Sequence, residues 1–174
     1  MQTDLRTICD ELLQLGSRPA IPARRKKLED AVSSKWDGVK IAAATALSQW
    51  GDPQSLQTLK ELLIAVAAKP DRWATTGAVA RLLKPHLRPS DLDWVFDVYV
   101  HKSHADNGFA LLSLLEVFPP HEVLRRLEAQ PPRGRGKDGQ NLRNAISRVK
   151  NPPLGPKGKP KPAKRKIKSQ SGRK

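Results

Sequence analysis

Arg133 and Arg135 stand in the frame Pro132-Arg133-Gly134-Arg135-Gly136-Lys137, and Lys157, Lys159 and Lys161 repeat it as Pro156-Lys157-Gly158-Lys159-Pro160-Lys161. Cations alternating with Gly and Pro have one evident chemistry, the binding of anions along an extended backbone. Gly lets the main chain lie close to a groove floor, and the flanking cations follow its negative potential. Lys lacks the planar fork of Arg, so the second frame is expected to be the weaker reader. Lys164-Arg165-Lys166-Ile167-Lys168 adds a compact cluster suited to phosphates or, in a eukaryote, to nuclear import. No Asp or Glu follows Asp138, and no aromatic follows Phe118. The cationic end is therefore unopposed and offers no ring for an unpaired base, which favours DNA over RNA. An arm touching about six phosphates would give a log–log salt slope near −5.

Charge divides the chain. Residues 1–130 carry 17 Lys/Arg against 16 Asp/Glu, residues 131–150 carry six against one, and residues 151–174 carry nine against none. A block of like charge repels itself and buries nothing, so residues 151–174 are expected to form a disordered Lys/Pro-rich tail. Residues 1–130 are rich enough in Leu, Val and Ala to build a core. Residues 131–150 read as a basic linker followed by a helix whose stripe Leu142, Ala145, Ile146 and Val149 closes that core. Arg143 and Arg148 lie mostly off this stripe and would extend the anion-binding surface.

Other chemistries find little support. His101-Lys102-Ser103-His104 holds two imidazoles at i, i+3, but no Cys lies near and no metal site is expected. No nucleophile elbow, phosphate loop or zinc-protease motif occurs, so no catalysis and no cofactor are expected. Cys9 stands alone, which excludes an internal disulfide and suits a buried thiol. Met1–Arg6 holds an acid and no apolar stretch, so it is not expected to act as a secretory signal. The longest apolar run, Leu62 to Ala68, is far short of the about 20 residues a bilayer needs. The chain is expected to be soluble and intracellular: cytoplasmic and nucleoid-associated in a bacterium, nuclear in a eukaryote.

The elements that carry these residues repeat. Val39-Lys40, Ala43-Ala44 and Ala46-Leu47 shift by 34 onto Trp73, Gly77-Ala78 and Ala80. A second shift lands on Asn107, Leu111-Leu112 and Leu114-Leu115, a third on Asn141, Ala145-Ile146 and Val149. A backward shift lands on Leu5-Arg6, Cys9 and Leu12-Leu13. Spacing of 0, +4, +7 and +8 marks one face of a helix. A second series, Leu28, Leu62 and Phe96 with Val32, Val66 and Val100, places another helix between successive copies. Its members follow Pro22, Pro53 and Ser90-Asp91, natural helix openings. Gly51-Asp52, Lys69-Pro70 and Pro119-Pro120 supply breaks. Of the four Trp, Trp50 and Trp73 take structural positions in this register, while Trp36 and Trp94 fall near helix ends and would line a face.

The segment Asp37 to Asp52 resembles the HEAT-repeat family at Val39-Lys40, Ala43-Ala44, Ala46-Leu47 and Gly51-Asp52, and Leu56, Leu59, Leu62 and Leu63 continue the match. The resemblance is strong over residues 37–69, weaker over 71–130, and departs at Arg81 and Asn107. It implies an all-α, short right-handed solenoid of about four helix pairs whose concave face holds a protein partner. The frame at Pro132–Lys137 resembles the AT-hook, a minor-groove DNA-binding motif, with Gly136 in place of its second proline. Together these imply a non-enzymatic adaptor joining DNA, through Arg133, Arg135, Lys137, Arg143, Arg148, Lys157, Lys159, Lys161, Lys164, Arg165, Lys166 and Lys168, to an unidentified protein. A pure protein scaffold with an arm for rRNA or acidic protein is the second reading. The third follows from HEAT-like alkylpurine DNA glycosylases, which would use Trp94 with Asp91, Asp93 or Asp97. A nearly neutral body, shorter than such enzymes, argues against it.

Overall fold

Proline opens three of the helices, because its missing N–H would be unpaired in a first turn anyway. These are α2 (Pro22–Val32), α4 (Pro53–Ala67) and α8 (Pro120–Glu128). The computed structural model describes residues 4–131 and 136–151. The other helices are α1 (Leu5–Gly16), α3 (Asp37–Trp50), α5 (Trp73–Leu83), α6 (Leu92–Asp97), α7 (Gly108–Leu115) and α9 (Lys137–Lys150). Among the described residues there is no strand, so the all-helical expectation holds. A single π-helical turn, Val98–Lys102, prolongs α6.

Caps fix several ends. The Asp4 carboxylate accepts from the Arg6 N–H at the start of α1, and Asp52 accepts from the N–H groups of Gln54 and Ser55 at the start of α4. Gly51 ends α3 at φ +62°, returning its N–H to the Leu47 carbonyl. That left-handed conformation penalises any Cβ, which is why a glycine closes this helix.

Odd-numbered helices form a chain of neighbours: α1 packs on α3, α3 on α5, α5 on α7, and α7 on α9. Even-numbered helices pack beside them, α2 on α3, α4 on α3 and α5, α6 on α7, and α8 on α9. Ala43, Ala44 and Ala46 are fully buried, and such small side chains let backbones approach closely. At Gly16 an added Cβ would lie 2.8 Å from the Ala46 Cα, so α1 meets α3 at a contact that only glycine admits. The second series of the sequence period is buried as its spacing predicts: Leu28, Leu62 and Phe96, then Val66 and Val100, with Val32 half-buried.

The first series holds for α3 and α7 but not for α5. There the buried residues are Thr75, Thr76, Val79, Ala80 and Leu83. Trp73, expected in a structural position, is 65 % exposed, and Arg81 is exposed as well. The chain between α4 and α5, containing Lys69-Pro70-Asp71 with Asp71 at φ 54°, moves the inward face of α5 by two to three residues. A 34-residue register cannot sense such a slip, because Gly77, Ala78 and Ala80 are small enough to suit either face.

Asn107 and Asn141, an interval of one period apart, are polar joints between segments. Asn107 is wholly buried, and its Nδ2 donates to the Ala67 and Lys69 carbonyls, both at 2.7 Å. The Asn141 Nδ2 donates to the Ala105 carbonyl at 2.6 Å. Asn107, the polar residue in an otherwise apolar series, is thus a clamp on the C-terminal end of α4. Helix α9 belongs to the same core: Ala145 is buried, and Leu142, Ile146 and Val149 pack against it.

Candidate nucleic-acid interface

Arg143 and Arg148 are the two sequence-predicted binding residues with described side chains. Arg133, Arg135, Lys157, Lys159, Lys161, Lys164, Arg165, Lys166 and Lys168 lie outside the described residues, and Lys137 is placed only as the first residue of α9. Arg143 is exposed, with its guanidinium donating to the Gln140 Oε1 at 3.1 Å. Arg148 is engaged internally: it pairs with Glu116 at 2.7 Å and lies 5.5 Å over the Phe109 ring. It ties α9 to α7.

The same economy holds across the body. Arg25 pairs with Asp52, Lys60 with Asp91, Arg72 with Asp37, Arg126 with Asp93, and Lys150 with Glu128. Burial alone would raise the carboxyl of Asp52, but hydrogen bonds from Arg25 and Ser55 overcome this and hold it at about 2. Asp91 and Asp37 behave alike, burial being outweighed by Lys60 and by Thr75 with Arg72 respectively, so both lie below the usual range. Asp91, Asp93 and Asp97, the carboxylates that a glycosylase reading would use, are all in ion pairs, the last with Lys102 at 2.7 Å. Trp94 packs on the core with the Lys60 ammonium 5.0 Å over its ring. The histidines converge on nothing either. His86 meets the Ser48 hydroxyl, His104 meets Asp106, and no group of three metal-ligating side chains occurs among the described residues.

One edge of the body sets exposed rings beside cations. The Asp37 carboxylate, at the first position of α3, accepts from Arg72 at 2.7 Å and Thr75 at 2.9 Å. It therefore joins the N-terminal ends of α3 and α5. Gly77 lies against Ala110, which carries the same edge on to α7. On this edge Trp36 is 49 % exposed, Trp73 65 % and Phe109 74 %. Cations lie over two of these rings, and a third lies next to Trp73 in the chain. Lys35 lies 5.1 Å over Trp36, Arg72 precedes Trp73 in the chain, and Arg148 covers one face of Phe109. Period counting could not find this row, since only the slip in α5 turns Trp73 outward.

Beside the edge runs a groove of about 620 Å³ between α2, α4 and the starts of α3 and α5. Lys35, Lys40, Lys69 and Arg72 line it, with Glu61 as the acid among its lining residues. Asp37 holds Arg72 and, at 3.5 Å, Lys40 in place. Lys69 has no ion-pair partner among the described residues and stays exposed. Counting Asp37 with Glu61, the four cations of the groove leave a net positive balance. No described helix is long and apolar enough to cross a membrane. No family model, curated protein or solved structure matches the chain.

Proposed function

We propose that this chain is a non-enzymatic HEAT-like solenoid adaptor that binds DNA through its basic C-terminal arm and a protein partner through its helical body. The observation that carries the reading is the segregation of charge. Residues 1–130 hold 17 Lys/Arg against 16 Asp/Glu, with several of the cations in ion pairs inside the body, whereas residues 152–174 hold nine Lys/Arg and no acid. Positive charge that no acid of the same segment offsets is available to a polyanion, and counterion release makes the association strong at low salt. Arg133 and Arg135 would enter the minor groove, while Lys157 to Lys168 pair with phosphates. The neighbour-to-neighbour packing of α1, α3, α5, α7 and α9 supports the solenoid reading, in which stacked helices present an extended face.

The test is a truncation that respects the fold. Because α9 contributes Ala145 to the core, the deletion removes residues 152–174 and keeps α9. Duplex DNA affinity is measured against salt for the full and shortened chains, with helical content checked by circular dichroism. The full chain should show a log–log slope near −5 if about six phosphates are neutralised. The shortened chain should bind far more weakly with a shallower slope. Equal affinity and equal slope for the two chains overturn the arm as the DNA-binding element. Co-purification from the native cell, with and without nuclease, then identifies the partner of the body.

A further inference from the structure

We infer that the edge formed by the starts of α3, α5 and α7 is a second nucleic-acid site, one that takes unpaired nucleotides. Trp36, Trp73 and Phe109 serve as stacking platforms, and the groove cations serve as phosphate contacts. The inference rests on the nucleic-acid reading above and adds to it a preference for a single strand, held by the body and not by the arm.

Three observations carry it. First, three large rings are about half or more exposed at the starts of neighbouring helices, although the body has an apolar core that buries most of its other large side chains. Exposed aromatic area of this kind is costly to leave in water and marks a surface with a partner. Second, Lys35, over the Trp36 ring, and Arg72, the residue before Trp73, both line a groove where the one shared carboxylate, Asp37, is already neutralised by Arg72 and Lys40. Aromatic faces interleaved with positive charge suit a ligand carrying flat rings on an anionic backbone. Third, spacing selects the form of that ligand. The three rings stand on neighbouring helices, whose axes pack about 8–10 Å apart, well beyond base-stacking distance. Along one strand of a duplex the rise per nucleotide is only about 3.4 Å, and the bases are stacked on each other with their faces covered. A duplex offers these rings nothing to stack on, whereas a stretched strand with splayed bases does. Lys69 and Lys35 then face the backbone, and Trp73 is the platform over which no cation is stacked among the described residues.

An acidic peptide bearing aromatic side chains is the competing occupant, and the experiment separates the two. The full-length chain, W36A/W73A and K35E/K69E are titrated with an oligothymidylate of about a dozen nucleotides, with a duplex of matched length, and with polyglutamate. Thermal melting is recorded for each protein, and the exposed positions predict melts close to that of the unsubstituted chain. W36A/W73A should weaken oligothymidylate binding about tenfold or more, since each stacked base contributes a few-fold to a hundredfold. Its duplex affinity should change less than about twofold, within the spread expected when phosphate contacts are kept. K35E/K69E should weaken oligothymidylate binding and make it less sensitive to salt. An unchanged ratio of single-strand to duplex affinity in W36A/W73A overturns the inference. So does equal competition by polyglutamate for the oligothymidylate site. Removal of residues 152–174 should weaken both nucleic acids while preserving the single-strand preference of what remains. If the full chain binds neither nucleic acid, the arm proposal fails along with this one. If duplex binding depends on the arm but the Trp variants behave as the parent, only the edge is refuted.

Discussion

Asn107→Asp replaces a neutral donor with an acceptor at a position that has no access to water. The Asn107 Nδ2 reaches two carbonyls at 2.7 Å, so the amide nitrogen, not its oxygen, must face them. In the aspartate variant a carboxylate oxygen would confront both carbonyl lone pairs, with no cation to offset it. An uncompensated buried charge costs about 3–5 kcal/mol, whereas Asn107→Ala forfeits two hydrogen bonds worth about 1–3 kcal/mol together. Part of the alanine cost is relieved because the Ala67 carbonyl keeps a bond from the His104 N–H at 2.7 Å. Burial and the facing carbonyls should raise the folded pKa of the introduced carboxyl above the ordinary value of about 3.9. For a raised pKa, stability is retained below the unfolded value and lost as pH rises through the folded one. The deficit of Asn107→Asp relative to the parent should therefore be greatest at neutral pH. It should shrink toward about pH 4, where the protonated carboxyl can donate one bond. Urea denaturation followed by far-ultraviolet circular dichroism across that range measures it. A pH-independent deficit, or an aspartate variant more stable than the alanine one at neutral pH, refutes the clamp.

Other substitutions probe the rest of the body. Asp52→Ala removes the α4 cap and the Arg25 partner and should cost about 1–2 kcal/mol in denaturant titration. In the parent chain the pKa of Asp52 is lowered, to about 2. Its contribution should hold above the unfolded value of about 3.9 and disappear as pH falls toward about 2, a trend the Ala variant should lack. Gly51→Ala forces a Cβ into the left-handed region and should lose about 1–2 kcal/mol, read as a lower melting temperature. Leu63→Ala, at a fully buried site, should cost about 2–5 kcal/mol. Trp73→Ala should stay within about 0.5 kcal/mol of the parent despite its size. A Trp73 variant as damaged as the Leu63 one would restore Trp73 to the core.

The period and the proline positions were readable because they are local. A 34-residue recurrence of Ala and Leu reflects the length of two short helices and their turns. Pro22 and Pro53 each begin a helix as expected, and the break at Pro119-Pro120 opens the next. The α5 register was not readable, because helix phase is set by how a loop delivers the chain, and small residues on both sides of α5 leave its pattern ambiguous. Asn107 looked like a flaw in an apolar series, since its worth depends on two carbonyls about 40 residues away in sequence. Arg148 read as a free cation on the polar side of a stripe. Its commitment to Glu116 and Phe109 needs the packing of α9 on α7, which no spacing rule contains. Trp36 was expected on a face, but the exposure of Trp73 and Phe109 beside it was hidden for the same reason, since a ring's exposure depends on the turn of its helix.

The bonds between neighbouring segments have a bearing on how order is gained and lost. Arg72 to Asp37, Ser48 to Leu82, Asn107 to Ala67 and Arg126 to Asp93 bridge 33 to 40 residues each. Each ties a helix to the next unit along, and none of these four ties α1 to α9. On the solenoid reading proposed above, cooperativity would pass from hand to hand and decay with distance instead of being shared at once. Contacts confined to adjacent units would also let assembly start wherever two such units first meet. Unfolding should then begin at an exposed end and advance inward. Amide exchange should show it as a gradient, fastest in α1 and slowest around α3 to α5, and strands held across the edge of those central helices would sit where the molecule opens last.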